Sequence, residues 1–227
     1  MLVCMMCSTL SALAQPEQGK LSITPKVGLN LSNMTNNPLT YVNYGGVMPD
    51  VPNGLFLYSV STRDNSYRFG WQAGVEASYQ LTKRFALAAE LRYSLQGTKY
   101  SPVETKTLLA EHIRLSMHNI QLPLLARFYV LPGLALEAGL QPEYCIRNNL
   151  SCDFYINGEK NNAYDKERST YNGFNMSLPL GISYEVNHLV FDARYNLGLS
   201  NLYKGTWDPE LPVSYSRAIE FSIGYRL

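Results

Sequence analysis

Histidines are the first residues to consider for chemistry, because imidazole can act as a base, a proton donor or a metal ligand. The chain has three, His112, His118 and His188. Ser116 lies two positions before His118, and a serine beside a histidine is the pairing used in acyl hydrolysis. One such pair is expected by chance, and no histidine pair has carboxylates at the spacing of a zinc site. The sequence therefore predicts no enzyme, no metal and no cofactor, with lipid hydrolysis as the alternative.

Charged residues carry a stronger signal, because they recur at alternate positions with equal numbers of each sign. Such a balance is expected where charges pair inside a closed interior. The basic members are Lys26, Arg68, Arg92, Arg127, Arg147, Arg194 and Arg226, and the acidic members are Glu76, Glu90, Glu137, Glu143, Glu185, Asp192 and Glu220. From this pattern we predict a structural charge network of Glu76, Glu90, Arg92, Arg127, Glu137, Asp192, Arg194, Glu220 and Arg226.

These charges occupy the minority face of segments with a period of two, the pattern of a β-strand whose faces meet different surroundings. In "LVFDARYNLGLSN", for example, Leu189 and Phe191 alternate with Asp192 and Arg194. The pattern predicts eight strands, near 21–31, 67–81, 84–96, 120–130 (the end of the fourth), 134–143, 174–185, 189–201 and 218–227.

The connections between these strands alternate in length. The links "LTKR", "LPG" and "EVNH" are short, whereas those near 33–66, 97–112, 148–171 and 200–214 are long and polar. A meander in which every second loop is long has all its short turns at one end, as outer-membrane barrels do. The sequence therefore predicts an all-β fold, an eight-stranded antiparallel up-and-down transmembrane β-barrel.

Alternation alone does not tell whether the apolar face contacts lipid or fills a soluble, lipocalin-like ligand carrier. Two aromatic bands bound the apolar belt, as at a membrane interface. Tyr79, Phe85, Phe128, Tyr184 and Tyr225 lie near the short turns, and Tyr67, Tyr93, Tyr144, Phe174 and Tyr195 lie toward the long loops. We therefore predict lipid outside and, because an eight-stranded barrel is only wide enough for its own side chains, a plugged polar lumen. The soluble carrier is the alternative.

Two irregularities interrupt the pattern. Apolar residues before His118 occupy odd positions, whereas Ile120 and its successors occupy even ones, so we expect either a bulge near His118 or an extension outside the membrane. Prolines inside the predicted strands are expected at bulges or strand ends; they are Pro25, Pro123, Pro142 and Pro179.

The N-terminus has the features of a secretory signal. Residues 2–13 are apolar or small, and Ala14 follows Ala12 with one residue between them. This small-x-small pattern predicts cleavage between Ala14 and Gln15, which leaves 15–227 as the barrel domain. Export exposes the chain to an oxidising compartment, so Cys145 and Cys152 are expected either to form a local disulfide or to remain free thiols.

Composition excludes some partners. The formal net charge of +1 gives no field that would attract nucleic acid.

In the long connections, Asn157-Gly158 predicts a type I′ turn whose flanking strands extend above the membrane. Trp207 is a candidate contact residue in a turn-rich segment, or else a ring resting on the barrel rim.

Two stretches, "HNIQLPLLARFYVLPGLALEAGLQPEY" (118–144) and "LPLGISYEVNHLVFDARYNLGLSNLYK" (178–204), resemble the PorT-like outer-membrane β-barrel family of Gram-negative bacteria, as do "PKVGLNLSNM" (25–34) and "IEFSIGYRL" (219–227). The resemblance implies an eight-stranded barrel in the outer membrane. The family's namesake is a membrane accessory of protein secretion, and the resemblance carries no catalytic motif. The partners that follow are outer-membrane lipid, the barrel-insertion machinery and envelope or secretion proteins.

Overall fold

The computed structural model describes residues 18–35, 39–47, 55–62, 64–104, 108–156, 158–167, 171–202 and 213–227. The expected cleavage between Ala14 and Gln15, the turn residue Asn157 and the candidate contact Trp207 lie outside these ranges. Within them, no helix is long and apolar enough to cross a membrane.

Thirteen strands occur in the described residues. In chain order they are β1 (Leu21–Met34), β2 (Leu39–Val47), β3 (Leu55–Thr62), β4 (Asn65–Thr82), β5 (Phe85–Tyr100), β6 (Val103–Glu104), β7 (Leu108–Gln121), β8 (Leu124–Leu131), β9 (Leu134–Ile156), β10 (Glu159–Glu167), β11 (Phe174–Val186), β12 (Leu189–Gly198) and β13 (Ser216–Tyr225).

Eight strands close into a ring. β1 pairs with β13 and β4, and the pairing continues through β5 to β7 and β8. β9 closes the ring, because it pairs with β7 and β8 on one side and with β11 on the other. β12 joins β11 to β13, and every pairing is antiparallel. With β7 and β8 counted as one interrupted strand, the predicted eight-stranded barrel is confirmed.

Pro123 is the point at which that strand is interrupted, between Gln121 and Leu124. Proline has no N–H for the ladder, so a break is the expected consequence. By contrast, Pro25 lies within β1 and keeps its register opposite Val75 of β4. Pro142 and Pro179 likewise keep register within β9 and β11. The expectation of a bulge or strand end at each proline is therefore correct for Pro123 and wrong for the other three.

Side chains alternate across the barrel wall as the period of two requires. In β12, Val190, Asp192 and Arg194 are buried, whereas Leu189 and Phe191 are exposed on the outside. The aromatic residues of the two predicted bands all have exposed or half-buried side chains on this outer face. The apolar rows thus cover the exterior, and the polar rows fill the interior.

Three of the four long connections are largely regular structure, and the first of them contains the paired strands β2 and β3. β5, β7 and β9 continue through much of the segments predicted as loops, and β9 turns into β10 across Ile156 and Glu159. Gly158 has a φ of +83°, the left-handed conformation that a type I′ turn requires. The predicted extension of the strands to this turn is therefore confirmed.

The expected bulge near His118 lies on the neighbouring strand instead. Odd positions of β7 remain buried from Ile113 to Asn119, so this strand does not change face there. His118 pairs with Arg147 and Asn119 with Cys145, which leaves Ile146 of β9 as the extra residue. The apolar residues preceding His118 therefore face inward.

Those inward residues form an apolar cluster inside the barrel at its long-loop end. We call it the apolar cap; it consists of Met34, Tyr100, Ala110, Ile113, Leu115, Met117, Cys145, Leu150, Cys152, Tyr171 and Leu202, with Val103 packed against it. The barrel interior thus has two layers, a polar one between the apolar outer rows and an apolar one above it. The sequence pattern indicated only the polar layer.

Candidate functional site

The interior charges are held at inward positions of strands that face one another across the bore. Glu76 of β4 receives Lys26 Nζ at 2.6 Å and both terminal nitrogens of Arg127 at 2.6 and 2.7 Å. Lys26 Nζ also donates to Asp192 Oδ2 at 2.6 Å. All four side chains are almost completely buried, and each charge is compensated by direct hydrogen bonds to a partner of opposite sign.

The chain of ion pairs continues from Arg127 across the barrel. Arg127 Nε lies 2.5 Å from Glu137 Oε1, and Arg194 Nε lies 2.7 Å from Glu137 Oε2. Arg194 Nη1 then donates to Glu90 Oε2 at 2.7 Å. Alternating signs therefore run continuously from β1 to β5, which is the geometry that offsets the cost of removing ions from water.

Two smaller groups extend this network. Arg92 bonds Glu220 at 2.6 Å and the side-chain oxygens of Gln121 and Gln141 at 2.8 and 2.9 Å. Glu185, toward the short turns, pairs with Arg226 and accepts a hydrogen bond from the Tyr129 hydroxyl at 3.0 Å. All nine residues predicted for the charge network lie in the interior: Glu76, Glu90, Arg92, Arg127, Glu137, Asp192, Arg194, Glu220 and Arg226. We call them, together with Lys26, the lumen network.

The predicted equality of charges inside the barrel is wrong. Of the seven basic residues, Arg147 is exposed and Arg68 is half-buried at the rim, whereas all seven carboxylates are buried. Arg147 follows the extra residue Ile146, where β9 changes face. The described interior consequently holds two more carboxylates than cations.

Little space remains between the lumen network and the apolar cap. A cavity of about 10 Å³, room for roughly one water molecule, lies there between Gln96, Met117, Asn119 and Glu143. Ion pairs across the bore lie on one side of this cavity, and packed apolar side chains lie on the other.

The candidate catalytic pair does not have the geometry of a hydrolase. Ser116 and His118 both occupy outward positions of β7, but the described contacts include no hydrogen bond between them. His118 Nδ1 instead shares a hydrogen bond with the Tyr93 hydroxyl. Likewise, the described residues contain no group of three histidine, cysteine or acidic side chains arranged to hold a metal ion.

The structure decides between the local disulfide and the two free thiols that the sequence left open. Cys145 and Cys152 are both free and buried, and both lie in β9, seven residues apart. At about 3.3 Å per residue their Cα atoms are about 23 Å apart, far beyond the reach of a disulfide. The hypothesis of a local bridge is therefore wrong.

Burial also makes the Cys152 thiol unreactive. Burial, together with the adjacent Asp153 carboxylate, raises the pKa of Cys152 to about 12. Only the thiolate is a nucleophile, so we expect no alkylation of Cys152 in the folded protein at pH 8 and full alkylation of both cysteines after unfolding without reductant. Peptide mass mapping measures each site, and Arg84→Cys, exposed in a short turn, is the control that should react in the folded state. Protection of Cys152 that survives unfolding would contradict the free thiol.

Basic residues gather on the outside of the barrel, just above the apolar rows. We call this group the basic rim; it consists of Arg68, Lys99, Arg114 and Arg147 on the adjacent strands β4, β5, β7 and β9. Lys99 lies opposite Arg114, and Arg147 lies opposite His118. The alternation of the sequence predicts Arg68 and Arg147 in the lumen. Their outer position depends on local bulges that the alternation does not reveal.

Comparison with known proteins agrees with this architecture. Residues 13–204 match a family model described as "Outer membrane protein beta-barrel domain". The chain belongs to this family. Its apolar exterior is therefore the lipid-facing surface of an outer-membrane protein, and the soluble-carrier alternative is wrong. No curated protein sequence matches the chain.

Three solved structures are similar to the chain of this outer-membrane β-barrel protein. Ail of Yersinia pestis is 9% identical, with a TM-score of 0.43, 93% of this chain covered and 100% of that one. Neisserial surface protein A is 14% identical, with a TM-score of 0.44 and coverage of 93% and 99%. OprG of Pseudomonas aeruginosa is 10% identical, with a TM-score of 0.41 and coverage of 92% and 97%.

Proposed function

We propose that this outer-membrane barrel is an accessory protein that binds another envelope protein at its long-loop end and does not conduct solutes through its lumen. The observation that carries the proposal is the set of buried ion pairs that cross the bore beneath the apolar cap. A protein of this kind acts through its surfaces, and the proposal accordingly assigns it no catalytic reaction.

The lumen network argues against transport because its ion pairs cross the bore. Arg127 of β8 joins carboxylates of β4 and β9, and Arg194 of β12 joins carboxylates of β9 and β5. Breaking a buried pair by removing one partner costs about 3–5 kcal/mol. A solute passing through would have to separate several such pairs and then displace the apolar cap.

The long-loop end offers a surface on which a partner can bind. β9 and β10 form a hairpin that continues the barrel wall outward, with Lys160 paired to Asp153 near its tip. Loops and extensions on a rigid scaffold commonly carry binding function. The resemblance to the PorT-like family supports a partner from a protein secretion pathway, which is the finer part of the proposal.

Conductance measurements test the closed lumen. The protein folded into a planar lipid bilayer is expected to show no stepwise current in salt solution, whereas an open porin under the same conditions shows large steps. Regular single-channel openings would contradict the proposal. Heat-dependent gel mobility of the same sample confirms that the protein tested is folded.

Site-specific photocrosslinking in cells tests the partner surface. A photoreactive residue in place of Lys160 is expected to give a discrete protein adduct that mass spectrometry identifies as an envelope protein. The matched control places the same residue at Lys83, an exposed lysine in a short turn at the opposite end. Identical adduct patterns from the two positions, or none from Lys160, would contradict a partner at the long-loop end.

A further inference from the structure

The basic rim has no counter-ion among the described residues. No described carboxylate lies within ion-pair distance of Arg68, Lys99, Arg114 or Arg147. Glu143 of β9 is buried in the interior, and the nearest acidic residue on the outer side of β9, Asp153, is engaged by Lys160 at 3.3 Å and by His112 at 3.2 Å. Cations gathered on one surface repel one another unless an anion lies between them, and this patch therefore points to an external anion.

The rim is also confined to one side of the barrel. Its four members lie on four consecutive strands of the ring, and Arg68 is within electrostatic range of both Arg114 and His118. Among the described outward positions at this height on β11, β12, β13 and β1, Arg217 is the sole cation. Four strands at about 4.8 Å spacing make the patch about 14 Å wide, which is enough for more than one phosphate.

The position of the basic rim relative to the apolar rows indicates which kind of anion can bind there. Along the outer row of β7 and the residue after it, Leu122 and Ile120 are exposed apolar residues, and His118, Ser116 and Arg114 follow them toward the long loops. Trp71 and Tyr93, whose ring centroids lie 5.1 Å apart, mark the same boundary on β4 and β5. Aromatic rings of this kind lie at the headgroup level. From His118 to Arg114 the rim extends about 13 Å along the strand, so it begins at the hydrocarbon boundary and reaches outward.

We propose that the basic rim binds a lipid of the outer leaflet whose headgroup carries two or more phosphates. Arginine guanidinium groups bind phosphate oxygens through paired hydrogen bonds, and a lipid anchored beside Ile120 and Tyr93 holds its phosphates at the required height. The Tyr93 hydroxyl and the His118 ring lie at the lower edge, where they contact the first polar atoms of the headgroup. This inference is independent of the closed lumen and of any protein partner.

Native mass spectrometry of the folded barrel in detergent tests the proposal, with bisphosphorylated lipid A as the probe. The protein is expected to retain this lipid and to bind dephosphorylated lipid A at least tenfold more weakly. The variant Lys99→Gln/Arg114→Gln/Arg147→Gln is expected to bind the phosphorylated lipid about a hundredfold more weakly, since each cation near the surface contributes appreciably to anionic-lipid binding. Arg68 is left unchanged because Nη1 of Arg68 donates to the Gln96 carbonyl at 2.8 Å.

A variant with equal charge loss elsewhere is the control. Lys83→Gln/Arg84→Gln/Arg217→Gln removes three exposed cations outside the rim and is expected to bind like the wild type. If the triple rim variant does not fold, Arg114→Gln alone is expected to weaken binding about fivefold. Equal binding of the dephosphorylated lipid, equal loss in the control variant, or full competition by inorganic phosphate at the same concentration would overturn the proposal.

Discussion

Replacing Arg127 with methionine is expected to lower the free energy of unfolding by about 3–5 kcal/mol. The Arg127 side chain is buried and pairs with Glu76 and Glu137. The variant leaves both carboxylates without one of their cations in an interior that already has more carboxylates than cations. Urea unfolding of the barrel in lipid vesicles, followed by tryptophan fluorescence, measures the change.

Two further variants separate the ion pairs from the bulk of the side chain. Arg84→Met removes an exposed arginine from a short turn and is expected to change stability by no more than about 0.5 kcal/mol. Combining Arg127→Met with Glu76→Gln is expected to cost less than the sum of the single changes, because the second removes a charge that the first leaves unpaired. Strict additivity would show that the network does not stabilise the fold through this pair.

Replacing Leu91 with arginine is expected to destabilise the barrel by about 2–4 kcal/mol, the cost of a cation on the lipid face near the middle of the bilayer. The outer row of β5 places Leu91 between Ala89 and Tyr93, within the apolar belt. Leu131→Arg, in contrast, lies at a short turn, where the expected cost is about 0–1 kcal/mol. The same unfolding measurement in vesicles applies to both.

The comparison is informative because the two leucines are equally accessible in the isolated protein, with 60% and 61% of their surface exposed. In water, two such surface positions would tolerate arginine equally well. A large difference between the two variants therefore reports the surrounding lipid. Equal and small effects would contradict the assignment of the outer face to hydrocarbon.

Much of this architecture was predictable because a strand's alternation is a local property of the backbone. Successive side chains point to opposite faces whatever the partner strand is. For this reason the sequence alone indicated the eight strands of the ring and the outward aromatic bands. The alternation of short and long links then determined the order of the strands around the barrel.

Partners across the bore depend on residues far apart in the chain, and the sequence did not reveal them. Lys26 and Asp192 are separated by 166 positions, and Arg194 and Glu90 by 104. Only the closed ring brings them within hydrogen-bond distance. The apolar cap was missed for a related reason, because apolar residues such as Ile113 and Leu115 can face either lipid or a second interior layer, and their type does not distinguish the two.

The sequence by itself thus determined the barrel, its lipid-facing surface and the composition of its polar interior, since all three follow from side-chain period and polarity. Tertiary structure decided which charges pair, that the two cysteines are free, and that Arg68 and Arg147 leave the interior for the outer rim. The physical reasons are the bulge at Ile146 of β9, the register shift between Tyr67 and Gln72 of β4, and the pairing of distant strands. One extra residue reverses the face of every side chain that follows, and no local pattern in this chain reveals where it occurs.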